Sequence, residues 1–395
     1  MLNRTWTMGD ELGPIHVLVD AAKSRIRPHW PRDQPWPARP PTPTPALSPR
    51  RCSSLLARTT PVWCGSMGCK TTDCNAHPLS PEEFRTAHVL SSLPGLFGGM
   101  MNDWAIVRKR GGLAELIALL GDHPMQIGVD VDGDEITMGI ADFLVYSATN
   151  NDRNPLLVFD AIVLDTVLAS ANASSNNPEP LYRVPDIFAA DDLFQHLDVA
   201  HRPPNSWLLV GPRGSGSPVH TDPLGTHAWN ALAQGAKRWV LFHPDTPKEL
   251  LHTRTLDKIP SAPREDLWDD VWGWFHEDLE GIKVAVKNHF KEKAKSAGDD
   301  DEVVRCFEFV QEPGDIVFVP SMWHHAVLNV SEKATLAITH NFVDRTGVHV
   351  ALEAMGTDDD AELLRAMFRK NVQQHRPDLK LWEGEEEESS GGEAA

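Results

Sequence analysis

Residues 207–232 read WLLVGPRGSGSPVHTDPLGTHAWNAL, and this stretch decides the fold class. It joins an apolar run at 207–210, a glycine-rich loop at 211–219 and a second β-rich run at 228–232. Short β-rich runs that are separated by Gly and Pro are typical of antiparallel sheets. The stretch therefore predicts two consecutive strands of a mainly β domain.

The same pattern continues towards the carboxyl terminus. Further β-rich runs lie at 238–242, 305–310, 316–319 and 335–339. Their number and spacing are typical of an antiparallel sandwich or a jelly roll. A charged, Trp-rich insertion at 260–302 interrupts the series, and we interpret it as helical.

The segments on either side of this β region differ in composition. Residues 1–78 are rich in Pro and Arg, so disorder is predicted there. Residues 79–190 mix helical and strand patterns, which predicts an α/β amino-terminal extension before a jelly-roll domain at 191–350. Residues 351–382 carry apolar side chains on one helical face, and 383–395 form an acidic, solvated tail.

Composition excludes several classes of protein. The 395 residues are 41% hydrophobic and carry a formal net charge of −19. This charge disfavours nucleic-acid binding and favours Lys- and Arg-rich protein partners, although solubility alone explains it equally well. No apolar run is long enough to span a membrane and no secretory signal is evident, so we expect a protein that is not secreted.

The five Cys residues are too few and too scattered for a fold built on disulfides, which indicates a reducing compartment. Cys64, Cys69, Cys74 and His77 lie close together but lack the C-x2-C spacing of structural zinc sites. We interpret them as ordinary thiols and keep metal binding as the alternative.

A His-x-Asp pair indicates metal binding only in the right context. Such pairs begin at His196, His220, His243 and His276. Only the pair of His220 and Asp222 lies between a glycine-rich loop and a predicted strand, whereas the others lie in helical, turn or acidic segments. We therefore choose His220 and Asp222 as candidate ligands.

Two further histidines, His324 and His325, follow a tight turn far along the chain. A non-haem Fe(II) site needs two His and one carboxylate on one side of the metal. Alternate residues of a strand share a face, so His220 and Asp222 can both face a metal that a third residue from a distant strand completes.

Such an iron site commonly works with a 2-oxo dicarboxylate, whose far carboxylate needs a buried cation. Lys237 fits this role because it follows a predicted hairpin at 234–236 and shares a strand face with apolar residues. Asn230 on the preceding strand and Thr339 on the closing strand are candidate partners. The alternative is that Lys237 is a solvent-exposed strand residue beside Arg238.

Together these stretches resemble the Jumonji-C oxygenases, most closely the branch named for arginine demethylase and lysyl 5-hydroxylase activities. The resemblance extends from about residue 140 to 346. The matching stretches are 155–160, 184–188, 191–194, 202–204, 211–216, 220–232, 235–239, 323–329 and 338–342.

The resemblance implies a double-stranded β-helix, which is a cupin-like jelly roll, followed by carboxyl-terminal helices. It implies that Fe(II) is the metal and that 2-oxoglutarate and dioxygen are co-substrates. By position, His220, Asp222 and His325 match the iron ligands, and His324 is expected to face the opposite way.

By position as well, Lys237 matches the residue that binds the distal carboxylate of 2-oxoglutarate, and Asn230 and Thr339 match further contacts. A family Tyr near the co-substrate is not clearly kept at 140–146. The insertion at 260–302 is expected to lie where a substrate approaches.

The activity that the resemblance implies is hydroxylation of protein side chains, first of Lys in basic proteins. Demethylation of N-methyl-arginine or N-methyl-lysine is the alternative. A non-catalytic scaffold protein and a small-molecule cupin enzyme remain two further hypotheses. The resemblance also implies a homodimer through helices at 361–381, and a nuclear rather than cytoplasmic location.

Overall fold

A computed structural model describes residues 12–26, 79–108, 112–120, 123–129, 132–164, 181–198, 201–251, 270–297, 306–356 and 359–382. The Cys64, Cys69, Cys74 and His77 cluster and the acidic tail at 383–395 lie outside these residues. None of the helices in the described ranges combines the length and the hydropathy that a membrane span requires.

Antiparallel strands make up the centre of the structure. In chain order they are β1 Gly95–Gly98, β2 Pro124–Val129, β3 Glu135–Gly139, β4 Val158–Asp160, β5 Ser206–Gly211, β6 Gly216–His220, β7 His227–Gln234, β8 Lys237–Phe242, β9 Cys306–Gln311, β10 Asp315–Val319, β11 His324–Asn329 and β12 Thr335–Phe342. The β-rich runs of the sequence correspond to β5, β7, β8, β9, β10 and β12, so the prediction of strands there is confirmed.

These strands form two facing sheets. The larger has the order β1-β10-β7-β12-β5-β4 and the smaller has the order β6-β11-β8-β9, while β2 and β3 form a separate pair. Along the chain, β5 to β12 pass repeatedly from one sheet to the other, which is the topology of a jelly roll. The prediction of a mainly β jelly roll is therefore confirmed.

The hairpin between β7 and β8 sets which residues face the space between the sheets. It turns at Gly235, whose φ of 95° favours glycine. A Cβ there would lie 2.5 Å from Cγ2 of Thr335, so a larger residue would displace β12. Period-two alternation from this turn places Lys237 and Trp239 on the inner face of β8.

Helices cover the outer faces of both sheets. The longer ones are α1 Leu12–Ile26, α2 Gly112–Leu120, α3 Ile140–Thr149, α4 Leu279–Ala297, α5 Val348–Ala354 and α6 Asp359–His375. Behind the larger sheet, Phe84, Phe188, Trp229 and Phe318 pack in one aromatic cluster. The α5 and α6 helices pack through Val348, Leu352 and Phe368 on the segment at 193–197.

The prediction of disorder at 1–78 needs correction at α1. Val19 and Ala22 are buried, and Lys23 forms an ion pair with Asp152. Residues three and four apart share one face of a helix, so this face packs on the body of the protein. The Pro-rich part of the segment lies outside the described residues.

The part of the insertion that the structure describes, 270–297, is helical, as predicted, but that part does not lie where a substrate was expected to approach. Trp272, Trp274 and Phe275, with Ile282 of α4, pack on the outer face of the smaller sheet. Arg153 fixes the start of this segment through an ion pair of 2.7 Å with Asp270. Burial of its Trp-rich face drives this packing, so the described insertion covers the back of the sheet and not the space between the sheets.

Candidate metal centre

Three predicted ligands converge between the sheets. His220 ends β6, Asp222 follows in extended conformation, and His325 on β11 is the register partner of His220. Each residue offers one ligand atom, and these atoms lie within 4.8 Å of one another. In the described part of the chain this is the only such group of three or more His, Cys, Asp or Glu residues.

Backbone carbonyls orient both imidazoles. Nδ1 of His220 lies 2.8 Å from the carbonyl oxygen of Pro218, and Nδ1 of His325 lies 3.1 Å from that of Trp323. A carbonyl oxygen only accepts, so each Nδ1 donates and each Nε2 keeps its lone pair for a metal. Burial, and then the neighbouring His220 ring, lower the pKa of His325 to about 4, so His325 is neutral near pH 7.

His324 takes no part in this group. Its ring is buried on the other side of β11, and this burial lowers the pKa of the imidazole. The other His-x-Asp pairs also lie elsewhere: His243 is in a turn, and His276 is in the helical segment behind the smaller sheet.

Asn341 holds the carboxylate of the triad. Its Nδ2 donates to Oδ1 of Asp222 at 3.2 Å and to Oγ1 of Thr226 at 3.0 Å. The amide thus holds Asp222 through one of its two carboxylate oxygens. The other oxygen, Oδ2, lies 3.8 Å from Nε2 of His325. The sequence reasoning missed Asn341, although it shares a strand face with Thr339.

The Asn341→Ala variant is expected to bind Fe(II) or Zn(II) about 10- to 100-fold more weakly, because groups that orient metal ligands contribute on that scale. Competition with a coloured chelator measures this change. Asn371→Ala is the matched control. Asn371 lies away from the triad, and its Nδ2 donates to the carbonyl oxygen of His196 at 3.0 Å. Equal metal affinity in the two variants would contradict the orienting role.

A pocket between the sheets extends from the triad to Lys237. Residues on the inner faces of both sheets line it, and they include Leu157, Phe159, Trp207, Asn230, Lys237, Trp239, Asn329, Thr339 and Asn341. Lys237, Asn230 and Thr339, which were predicted to contact the co-substrate, therefore line the same pocket as the triad.

Lys237 is 4% exposed and forms no ion pair with any described carboxylate. Burial lowers the pKa of its ammonium to about 7. The amide oxygen of Asn230 is also buried without a hydrogen-bond partner among the described residues. A buried cation without a partner is costly, so this end of the pocket fits an anionic group that neutralises it.

Binding of a dicarboxylate here is expected to weaken as pH rises above about 7. In the free protein Lys237 loses its proton near pH 7 because burial lowers its pKa, whereas a bound carboxylate needs the ammonium form. Each pH unit above that value is expected to reduce affinity about tenfold. Calorimetry of 2-oxoglutarate binding between pH 6 and 9 measures this slope, and a flat profile would contradict it.

Neither tyrosine of the chain reaches the pocket. The Tyr146 hydroxyl donates to Asp152 at 2.7 Å and accepts from the Leu156 amide at 2.9 Å, and the Tyr182 hydroxyl lies 3.0 Å from Nε2 of His340. Leu157 lines the pocket instead. The family's tyrosine contact is therefore absent from the described residues that line this pocket.

Comparison with known proteins agrees with this geometry. Residues 207–342 match the model of the JmjC domain, which is described as a hydroxylase. The chain is 31% identical over 301 residues to the bifunctional arginine demethylase and lysyl-hydroxylase psr-1 of Caenorhabditis elegans, covering 76% of this chain and 68% of that protein.

Two other relatives are more distant. The arginine-specific demethylase JMJ22 of Arabidopsis thaliana is 28% identical, with 76% of this chain and 53% of that protein covered. The 2-oxoglutarate and iron-dependent oxygenase JMJD4 of Danio rerio is 28% identical, with 52% of this chain and 42% of that protein covered. From the fold, the triad and these matches together, the chain belongs to the JmjC-domain oxygenase family.

Proposed function

We propose that this protein is an Fe(II)- and 2-oxoglutarate-dependent dioxygenase that hydroxylates Lys side chains of basic proteins. The observation that carries the proposal is the presence, in one pocket, of a His-Asp-His triad and a buried lysine that has no carboxylate partner among the described residues. When bound, iron and 2-oxoglutarate supply the activation of dioxygen that places an oxygen atom on a substrate carbon.

The donor set fits this metal. Two imidazoles with free Nε2 atoms and one carboxylate form the facial arrangement that non-haem Fe(II) oxygenases use. His220, Asp222 and His325 would hold the metal, while Asn341 keeps the carboxylate in place.

The far end of the pocket fits the co-substrate. Lys237 would bind the distal carboxylate of 2-oxoglutarate, with Asn230 and Thr339 as further contacts on the opposite sheet. The Thr339 hydroxyl donates to the carbonyl oxygen of Trp229 at 3.0 Å, which fixes the position of its oxygen. The apolar walls exclude water and strengthen the contact with Lys237.

The mouth of the pocket supports a cationic substrate. Phe159 is 41% exposed, and its ring centroid lies 5.5 Å from that of Trp207, which also lines the pocket. Aromatic faces attract Lys, Arg and methylated cations. The net charge of −19 adds a long-range attraction for basic proteins.

N-methyl-arginine or N-methyl-lysine is the second candidate substrate, because the same aromatic pair fits a methylated cation. Hydroxylation of a methyl carbon there would release formaldehyde. The relative psr-1 is named for both arginine demethylase and lysyl-hydroxylase activities. The triad and Lys237 argue against a scaffold without turnover, since an inactive barrel has no need of a buried lysine that no carboxylate in the described ranges neutralises.

The test is incubation of the Fe(II)-loaded protein with 2-oxoglutarate and basic peptides that contain Lys, methyl-Lys or methyl-Arg. Mass spectrometry distinguishes a gain of oxygen from the loss of a methyl group, and succinate release reports turnover. Asp222→Ala is the control. Conversion of 2-oxoglutarate by that variant at the wild-type rate would overturn the proposal.

We propose that two copies pair through the carboxyl-terminal helices. Leu363 on α6 is 60% exposed and Val350 on α5 is 42% exposed, although both lie on helices with a buried apolar face. Leu363→Asp is expected to shift a dimer to a monomer in sedimentation at micromolar concentration, because a charge there is costly to bury. The matched control is Gln373→Asp on an exposed position of α6, and a wild-type monomer would contradict the pairing.

The division into an α/β extension at 79–190 and a jelly roll at 191–350 is also proposed. The separate sheet of β2 and β3 supports it, and Oδ2 of Asp160, on β4, accepts from the Gln126 amide at 2.9 Å and so attaches this pair to the edge of the larger sheet. A location in the nucleus, or otherwise in the cytoplasm, is proposed from the family alone, and imaging of the tagged full chain tests it.

A further inference from the structure

The glycine-rich loop that precedes His220 wraps around one pocket residue, Asn329. The Gly214 amide donates to the carbonyl oxygen of Asn329, and the Asn329 amide donates to that of Ser215, both at 2.8 Å. Asn329 is 2% exposed and lines the pocket. The loop therefore holds the backbone of Asn329 on both sides.

The loop also fixes which way the side-chain amide of Asn329 points. The Ser215 hydroxyl donates its one proton to the carbonyl oxygen of Pro212 at 2.6 Å, so its oxygen can only accept from Asn329. Nδ2 of Asn329 donates to it at 2.9 Å. The Asn329 amide cannot flip by 180° without losing this hydrogen bond. Its oxygen, Oδ1, is buried with no hydrogen-bond partner among the described residues.

Gly211 makes this arrangement possible. A Cβ at position 211 would lie 2.4 Å from Oγ of Ser215 and 2.6 Å from Nδ2 of Asn329. Any larger residue would therefore push the pair apart. The close approach indicates that the loop sequence serves the orientation of Asn329 as well as the turn into β6.

Asn329 is the direct register partner of Lys237, the first residue of β8. Directly paired residues of antiparallel strands have neighbouring side chains on the same face, and both side chains face the pocket. A fixed amide oxygen beside a dicarboxylate site repels the ligand unless a cation lies between them. Asn230 differs, because no hydrogen bond among the described residues fixes which of its amide atoms faces the ligand.

We propose that Asn329 is a positioning residue that acts through Lys237. Its amide oxygen, oriented by Ser215, accepts one N–H of the ammonium and directs the other two at the distal carboxylate of the co-substrate. An ammonium has three donors and no acceptor, so each donor then has a partner. This inference rests on the proposed function, because it assigns a residue to the binding of 2-oxoglutarate.

The test is calorimetry of the Zn(II)-loaded protein with two ligands. 2-Oxoglutarate engages both the metal and Lys237, whereas oxalate has a chelating end and no distal carboxylate. Asn329→Ala is expected to bind 2-oxoglutarate about tenfold more weakly, since hydrogen bonds to charged groups contribute on that scale. Its affinity for oxalate is expected to match that of the wild type, and so is its kcat with Fe(II) at saturating 2-oxoglutarate.

Ser215→Ala is the second variant, and it is expected to weaken 2-oxoglutarate binding by less, because the amide can then turn. Asn288→Ala, at an exposed position of α4, is the matched control and is expected to change neither affinity. Unchanged 2-oxoglutarate affinity in both pocket variants, or equal weakening of both ligands, would overturn the positioning role. A wild type that does not bind 2-oxoglutarate would instead overturn the proposed co-substrate.

Discussion

The His325→Ala variant is expected to lose more than about a hundredfold in Fe(II) affinity, whereas His324→Ala is expected to keep the wild-type affinity. Removal of a group that only orients a ligand costs up to about a hundredfold, so removal of a ligand itself exceeds that. The two residues are adjacent on β11, but only His325 belongs to the triad. Anaerobic titration with Fe(II) and 2-oxoglutarate, followed by the visible absorption of the chelate, measures the difference.

Both histidines are buried, so folding needs its own control. Thermal unfolding of the two metal-free variants separates a lost ligand from a lost fold. Where His324→Ala is unstable, His324→Gln keeps hydrogen-bonding atoms for the carbonyl groups that surround the ring. Equal loss of affinity in the two variants, or wild-type affinity in His325→Ala, would show that the metal is held elsewhere.

The strands around the site could be predicted because local signals agree with the global fold there. The turn at Gly235 and the alternation after it place Lys237 inside, and the extended backbone of Asp222 continues the alternation of β6. His220 and His325 meet although more than a hundred residues separate them in sequence, because β6 and β11 are direct neighbours in the smaller sheet. Spacing predicted a second His from a distant strand, and family resemblance chose His325 over His324.

The residues that were missed depend on contacts between distant segments. Asn341 reaches Asp222 only because the end of β12 lies beside the turn that follows β6. Nothing in the local pattern of either segment records that approach. The orientation of Asn329 likewise depends on Ser215, which lies within the glycine-rich loop and far from Asn329 in sequence.

Two segments show where composition misleads. The insertion at 260–302 was expected to lie where a substrate approaches, but Trp272 and Trp274 in its described part are buried behind the smaller sheet. At α1, an apolar helical stretch was missed because the whole segment at 1–78 is rich in Pro and Arg, and the ion pair from Lys23 to Asp152 has no local sequence signal. Tertiary burial decides both segments, and propensity is only a weak guide there.

The Lys237→Met variant is expected to bind 2-oxoglutarate about 150- to 5000-fold more weakly, because removal of one partner of a buried charge pair costs about 3–5 kcal/mol. Methionine keeps most of the length and volume of the side chain and removes the charge together with its N–H donors. Turnover at a fixed, subsaturating concentration of 2-oxoglutarate falls accordingly. Calorimetry of the metal-loaded protein and the KM for 2-oxoglutarate both measure the effect.

The same substitution is expected to raise the stability of the ligand-free protein. Burial lowers the pKa of Lys237 from 10.5 to about 7, so the unfolded chain binds more protons between these values, and wild-type stability rises with pH across that window. Lys237→Met removes the cost of the buried charge. Its gain in unfolding free energy is therefore expected to be largest below about pH 7 and to fade towards pH 10.

The Arg238→Met variant changes the next residue of β8, and it is expected to have the opposite effects on stability and affinity. Arg238 faces outwards, and its Nε donates to Oε1 of Glu308 at 2.7 Å, beside Lys283. Its loss is expected to lower thermal stability and to leave 2-oxoglutarate affinity unchanged. Loss of a residue that stabilises the fold lowers stability and leaves affinity unchanged, as expected for Arg238. Loss of a residue that serves binding lowers affinity and raises the stability of the ligand-free protein, as expected for Lys237. Lower stability with unchanged affinity in Lys237→Met would make that lysine structural and would remove the co-substrate from this pocket.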